Sequence, residues 1–343
     1  MIRNILKYFL LILFSGFISC GTKDKNESKD KAAADSLSAS NSASPIDQLT
    51  KQIKEEPNKP DLYAKRSEFY LAEKKFTPAL NDINKALSFD STKSSYYLIL
   101  ANIHFATLNI PKSEEAFQKA IAFDSKNIEA YLKLAELYLY LKKYDESIKN
   151  ANEALKIDVH RAKAYFIKGF VFTQTHDTSR AISSFQTCVE QEPEYYDAFI
   201  QLGILFEARR SPLAVEYYNR ALKLRPTSTE ALYDRGKFFQ DNGELDKAID
   251  DYNSIIKIDP GYKDAYFNLG YIEVNSHKNY QKAIEYFSRA IDRDKYYAAA
   301  FYNRGYCYEM TGDRQNARKD YFSALGIDQT FILPKNGLKR IGG

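Results

Sequence analysis

The chain has 343 residues, 44% of them hydrophobic, with 49 bases against 45 acids and a formal net charge of +4. So balanced a chain carries no basic patch of the kind that nucleic-acid binding requires. The length alone would suggest two or three domains, but an internal repeat overrides that estimate, because each repeated unit buries its apolar face only against its neighbours.

Arg3 and Lys7 open the chain, and Tyr8 to Ile18 is an apolar run of 11 residues, too short for a membrane span. The run ends at Phe17-Ile18-Ser19-Cys20-Gly21. That arrangement resembles the lipobox of bacterial lipoproteins, with an apolar residue three before a cysteine. The resemblance implies a signal peptide over 1–19 and diacylation of Cys20 as the new first residue. Each buried CH₂ of an acyl chain contributes ~0.8 kcal/mol, so a multiply acylated end anchors firmly. Gly21 to Ser44 is rich in Lys, Asp, Ser, Ala and Asn, with one Leu and no aromatic. It cannot bury a core, and residues 20–44 are expected to form a lipid-anchored disordered tether. Its root-mean-square reach is roughly 27 Å and its limit ~80 Å. Lys23-Asp24-Lys25 resembles the Lys/acid-rich export signals of some Gram-negative surface lipoproteins, so the expected place is the outer membrane, periplasmic or surface-exposed.

Ile46, Leu49 and Ile53, before Pro57, read as the second helix of a degenerate leading unit over 45–59. From Pro60 to Phe331 a unit of about 34 residues recurs eight times. Its end is marked by a small-then-apolar pair that begins at Ala86, Ala120, Ala154, Cys188, Ala221, Ile255, Ala290 and Ala324. The interval between pairs is constant but for one position lost before Ala221 and one gained before Ala290. Position 4 of the unit is large, as at Tyr63, Tyr131 and Tyr266. Position 8 is small: Ser67, Ala101, Ala135, Gly169, Gly203, Gly236, Gly270 and Gly305. Position 11 is usually aromatic, and spacings of 4 and 3 put all three on one face of a first helix. Position 20 is Ala or Ser throughout, and position 24 is large in most units, as at Phe117, Phe185, Tyr252 and Tyr321. Small-then-large on the second helix complements large-then-small on the first. Pro193, Pro226 and Pro260 recur after the second helix, where they stop it.

This pattern, over 60–331, resembles the tetratricopeptide repeat. The resemblance implies an all-α fold, an α-solenoid in which eight helix pairs wind into a right-handed superhelix with the first helices lining its concave wall. Phe331, Ile332, Leu333, Leu338 and Ile341 then read as a capping helix over 332–343. Cys188 and Cys307 sit where the repeat places small buried residues and read as core thiols.

Position 7 is Arg in three units, Arg66, Arg235 and Arg304, and the residue 16 further on is then Asp: Asp82, Asp251 and Asp320. Where position 7 is Leu, the matching residue is never acidic. We read three structural ion pairs between the helices of those units.

No catalytic set emerges. The four histidines, His104, His160, His176 and His277, pair with no other His or Cys at ligand spacing, so no metal site and no cofactor is expected. His104 stands at an aromatic position and reads as core. Carboxylates read as solvated helix faces. The chain is read as a non-enzyme.

Positions 5 and 9 carry an apolar strip in units 4 to 8: Phe166 and Phe170, Ile200 and Ile204, Tyr233, Phe267 and Tyr271, Tyr302 and Tyr306. The unit's own core uses positions 4, 8 and 11, so the strip is surplus and reads as an exposed partner-binding groove; for the position-5 residues, packing against the neighbouring repeat is an equally open reading. Asn268 and Asn303 keep the family's position-6 Asn, which can bond a peptide backbone. The Lys and Asn clamp that grips a terminal carboxylate is not reproduced. The leading expectation is a membrane-anchored adaptor of the bacterial envelope that grips a peptide or protein partner. A glycan- or nutrient-binding surface lipoprotein is the second reading, and a structural homo-oligomer that closes the strip on itself is the third.

Overall fold

Most helices of this chain run 13 or 14 residues before a short turn, which folds it into helical hairpins. The computed structural model describes residues 44–342, and every element in it is helical. The expected signal peptide, Cys20 and the tether up to residue 43 lie outside the described residues. The chain divides between Asp177 and Thr178 into two compact units.

The first unit holds α1 (Pro45–Glu55), α2 (Pro60–Ala72), α3 (Phe76–Phe89), α4 (Ser94–Ala106), α5 (Ile110–Phe123), α6 (Ile128–Tyr140), α7 (Tyr144–Ile157) and α8 (Ala162–Gln174). The second holds α9 (Thr178–Gln191), α10 (Tyr196–Ala208), α11 (Leu213–Leu224), α12 (Thr229–Asp241), α13 (Leu245–Ile258), α14 (Lys263–Ile272), α15 (Tyr280–Arg293), α16 (Ala298–Met310), α17 (Arg314–Ile327) and α18 (Ile332–Arg340). Even-numbered helices from α2 to α16 are the first helices of the eight repeats. Helix α1 is a second helix with no described partner before it; it buries Leu49 and Ile53 and packs on α2.

The small residue at position 8 marks close helix approach. A Cβ on Gly305 would lie 3.0 Å from the Tyr321 ring, and one on Gly270 would lie 2.8 Å from Phe287. In the early repeats a serine bridges the same gap. Ser67 Oγ donates to Ala79 O at 2.8 Å, Ser113 Oγ to Ala101 O at 2.9 Å and Ser147 Oγ to Ala135 O at 2.8 Å.

Each turn within a hairpin needs one left-handed residue, and only two of the eight are glycine, Gly243 and Gly312. Lys74, Leu108, Lys142, His176, Arg210 and Lys278 take the others, with φ between 53° and 59°. Six of the eight repeat ends use an aspartate instead. The Oδ1 of Asp90, Asp124, Asp158, Asp259, Asp294 and Asp328 each accepts the backbone N–H two residues on.

Both slips in the period have a location. The extra residue before Ala290 is absorbed by a π-helical turn, Glu273–His277, that prolongs α14. Glu273 stands there at an aromatic position, is buried, and binds Lys282 (2.6 Å) and His277 (3.1 Å). The residue missing before Ala221 comes out of the start of α11, which has 12 residues where α13 has 14.

Two expectations are corrected. His104 is half-buried rather than core. In the cap, Ile332 and Leu333 are exposed, and α18 instead buries Pro334 and Gly337, with Gly337 against the Tyr321 ring. Cys188 and Cys307 are buried free thiols, and burial pushes Cys307 up to about 12. Among the described residues no helix is long and apolar enough to cross a membrane.

Candidate functional site

The Arg–Asp pairs form in all three units. Arg66 Nε and Nη2 reach Asp82 at 2.7 and 2.8 Å, Arg235 reaches Asp251 at 2.9 and 2.5 Å, and Arg304 reaches Asp320 at 2.7 and 2.9 Å. These are bidentate, largely buried contacts. The third donor is not foreseen from the sequence. Nη1 of each arginine turns the other way, to Thr50, Asn219 and Ser288, each 16 residues earlier on the preceding second helix. One guanidinium therefore ties its own hairpin to the helix before. Lys168 makes the same backward reach to Asn152 (2.9 Å).

The apolar strip divides into wedges and a remainder. Each position-5 ring of the last three repeats is inserted between two others. Tyr233 lies 6.2 Å from Tyr252 and 5.7 Å from Tyr262. Phe267 lies 5.5 Å from Phe287 and 5.1 Å from Tyr297. Tyr302 lies 5.9 Å from Tyr321 and 5.4 Å from Phe331. The first partner is the repeat's own position 24; the second is the aromatic that precedes the next first helix. Position 5 is thus a spacer between hairpins. The available signal is the series Tyr262, Tyr297, Phe331, which recurs at nearly the same period.

Phe166, Phe170 and Ile200 are buried, which corrects the expectation that they line an exposed groove. Phe166 and Phe170 pack edge-on to each other at 4.9 Å. Asn303 folds back on its own helix, donating to Ala299 O at 2.8 Å, and Asn268 bonds the hydroxyls of Tyr233 and Tyr252. Tyr271 remains exposed at 43%, with Ile204 and Tyr306 half-buried.

What the face of the first helices does present is charge, and the two units differ. In the first unit, acids and bases pair: Glu136 is buried between Lys133 (3.1 Å) and Lys163 (2.9 Å), and Glu129 stands 3.8 Å from Arg161. In the second unit, positions 2, 6, 12 and 13 of the repeats that begin with α10, α12 and α14 supply Asp197, Glu207, Glu230, Asp234, Asp241 and Asp264, with Lys237 as the base. Lys237 is taken by Asp241, Glu207 accepts the Tyr218 hydroxyl (2.7 Å), and Asp264 accepts that of Tyr297 (2.8 Å). Asp234 is half-buried and accepts no hydrogen bond from the described residues. Burial, then Glu230 and Glu207, push its carboxyl up to about 8, against the pull of Lys237. Burial likewise raises Asp197 and Glu207. Read from the sequence, these acids pass for solvated faces, because nothing in one repeat shows that the acids of two repeats converge. Among the described residues no group of His, Cys, Asp or Glu could hold a metal ion.

Family models described as the tetratricopeptide repeat match residues 116–149 and 171–330, together more than half of the chain. Over 89 residues the chain is 30% identical to the UDP-N-acetylglucosamine–peptide N-acetylglucosaminyltransferase of Giardia intestinalis. The match takes in 26% of this chain and only 6% of that protein's length. Among solved structures, the C-terminal part of a repeat protein from Cytophaga hutchinsonii superposes with a TM-score of 0.60 at 20% identity, covering 69% of this chain and 98% of that one. PilF of Pseudomonas aeruginosa superposes with a TM-score of 0.53 at 18% identity, covering 63% and 94%. These likenesses establish the fold.

Proposed function

This chain belongs to the tetratricopeptide repeat family, and from that premise we propose that it is a non-enzymatic, lipid-anchored adaptor of the bacterial envelope. The fold is that of a protein-interaction scaffold, and such repeats bind peptide or protein partners. One observation carries the reading. The first helices of the second unit keep an accessible face, with Tyr271 exposed and Ile204 half-buried beside a row of carboxylates. A face of mixed rings and charge suits a protein segment, and the absence of Trp from the chain argues against a sugar-stacking platform.

The anchoring part of the proposal rests on Arg3, Lys7, the apolar run and the Phe17-to-Cys20 box. Acylation of Cys20 would hold the repeats within tether reach of the membrane. The test is a pair of measurements in a bacterial envelope. Cys20→Ser is expected to lose labelled palmitate and leave the membrane fraction; retention there, unlabelled, counts against lipid anchoring. A photocrosslinking residue at Tyr271 is expected to trap a discrete protein partner, and its failure to trap any counts against the adaptor.

A further inference from the structure

The carboxylates of the three Arg–Asp pairs are satisfied. Asp82, Asp251 and Asp320 each accept two hydrogen bonds from an arginine. Asp234 occupies the neighbouring helix position to Arg235, is half-buried, and accepts none from the described residues. Its surroundings are negative. Glu230, one turn before it on α12, and Glu207 on α10 both repel its charge, and Tyr262, in the turn before α14, lies within electrostatic range of it. Lys237, the cation beside it, is bonded to Asp241. Aromatic surface adjoins the acids: Tyr233 and Tyr262 pack with centroids 5.7 Å apart, and Tyr271 is exposed one repeat further on. A carboxylate left without a donor, with an exposed ring one repeat further on, is complementary to a cation carried on a partly apolar chain.

We propose that the face of α10, α12 and α14 receives an arginine- or lysine-bearing stretch of a partner protein, with Asp234 as the carboxylate that meets its cationic head. The inference rests on the adaptor reading and adds the chemistry of the partner. The guanidinium or ammonium lies against Asp234, and the apolar residues between the cations lie over Tyr271 and Ile204. Binding draws a proton off Asp234, because burial and the surrounding acids otherwise keep that carboxyl protonated near neutral pH. Arginine stays charged throughout this range, so the pH dependence of binding reports Asp234 and its neighbours Glu207, Glu230, Lys237 and Tyr262.

The probe is a capped, fluorescein-labelled Leu-Arg-Leu-Arg-Leu peptide, titrated with the full chain by anisotropy, against the same peptide with Glu in place of Arg. Asp234→Asn is expected to weaken the arginine peptide at least tenfold at pH 8, and Asp246→Asn, on the exposed side of α13, to leave it unchanged. Wild-type binding should tighten from pH 6 to pH 9, and this trend should vanish in Asp234→Asn. Equal affinity of wild type and a folded Asp234→Asn, or equal binding of the Glu peptide, overturns the proposal. If the Asn variant does not fold, the wild-type pH trend decides alone, and a flat profile overturns it. A partner trapped at Tyr271 whose capture survives Asp234→Asn leaves the adaptor standing and removes the cationic subsite. No partner trapped in the wild type removes the adaptor itself.

Discussion

Arg235 grips Asp251 through two parallel hydrogen bonds, 2.9 Å from Nε and 2.5 Å from Nη2, and turns its remaining arm to Asn219 of the hairpin before. Asp251 is 5% exposed at its side chain and the arginine 22%. Removing one partner strands a buried charge, and Arg235→Leu is expected to cost about 3–5 kcal/mol. Arg235→Leu with Asp251→Leu should cost far less, because no uncompensated charge remains. Denaturant melts of the two variants check this; equal losses would show that the pairing is not what the residues contribute.

Leu108 is 74% exposed and holds φ at 58°, a left-handed conformation that costs an L-residue about 1–2 kcal/mol. Gly243 and Gly312 take the same turn without that strain. Part of the relief is offset by the larger unfolded-state freedom of glycine, so Leu108→Gly should stabilise by about 0.5–1 kcal/mol. Gly243→Ala should do the reverse. Thermal melts of the two variants should move in opposite directions.

Gly203 faces the Tyr218 ring so closely that an added Cβ falls well inside contact distance of three ring atoms. Tyr218 is fully buried and its hydroxyl is bound to Glu207, so it has little freedom to withdraw. Gly203→Ala is expected to lose about 1–3 kcal/mol through overpacking. Gly203→Ala combined with Tyr218→Leu should recover part of that loss, which a double-mutant cycle measures.

Asp234 titrates near pH 8 in the folded chain and near 3.8 when unfolded. The folded state therefore holds the proton more tightly, and its contribution to stability is complete below pH 4 and lost as pH rises towards 8. Wild type minus Asp234→Asn should show a stability difference that falls by about 1–3 kcal/mol between pH 4 and pH 8, after discount for solvent screening. The subtraction removes Glu273 and Glu309, whose lowered values act in the opposite direction. A pH-independent difference would place the Asp234 carboxyl in the ordinary range.

The helices and their pairing are legible in the sequence because period, size alternation and turn residues all repeat across eight copies. The Arg–Asp pairs are legible because partner identity covaries inside the chain: Asp follows Arg at a fixed offset and never follows Leu there. The wedge role of Phe267 and Tyr302 is not legible, since it depends on a third ring, Tyr297 or Phe331, that lies outside the unit's own core. The same limit hides the acids. Glu207 and Asp234 belong to different repeats, and only the stacking of α10 and α12 brings their charges together.

An arginine bonded on both of its sides also bears on how the stack comes apart. In a linear array, stability divides into what each hairpin holds alone and what it shares with its neighbour. A guanidinium bonded to two second helices adds to the shared part. The hairpins joined by Arg235 and by Arg304 should melt together with the ones before them. Breaks would then fall at junctions held by apolar contact alone, so limited proteolysis should release fragments that keep each arginine with both of its acceptors.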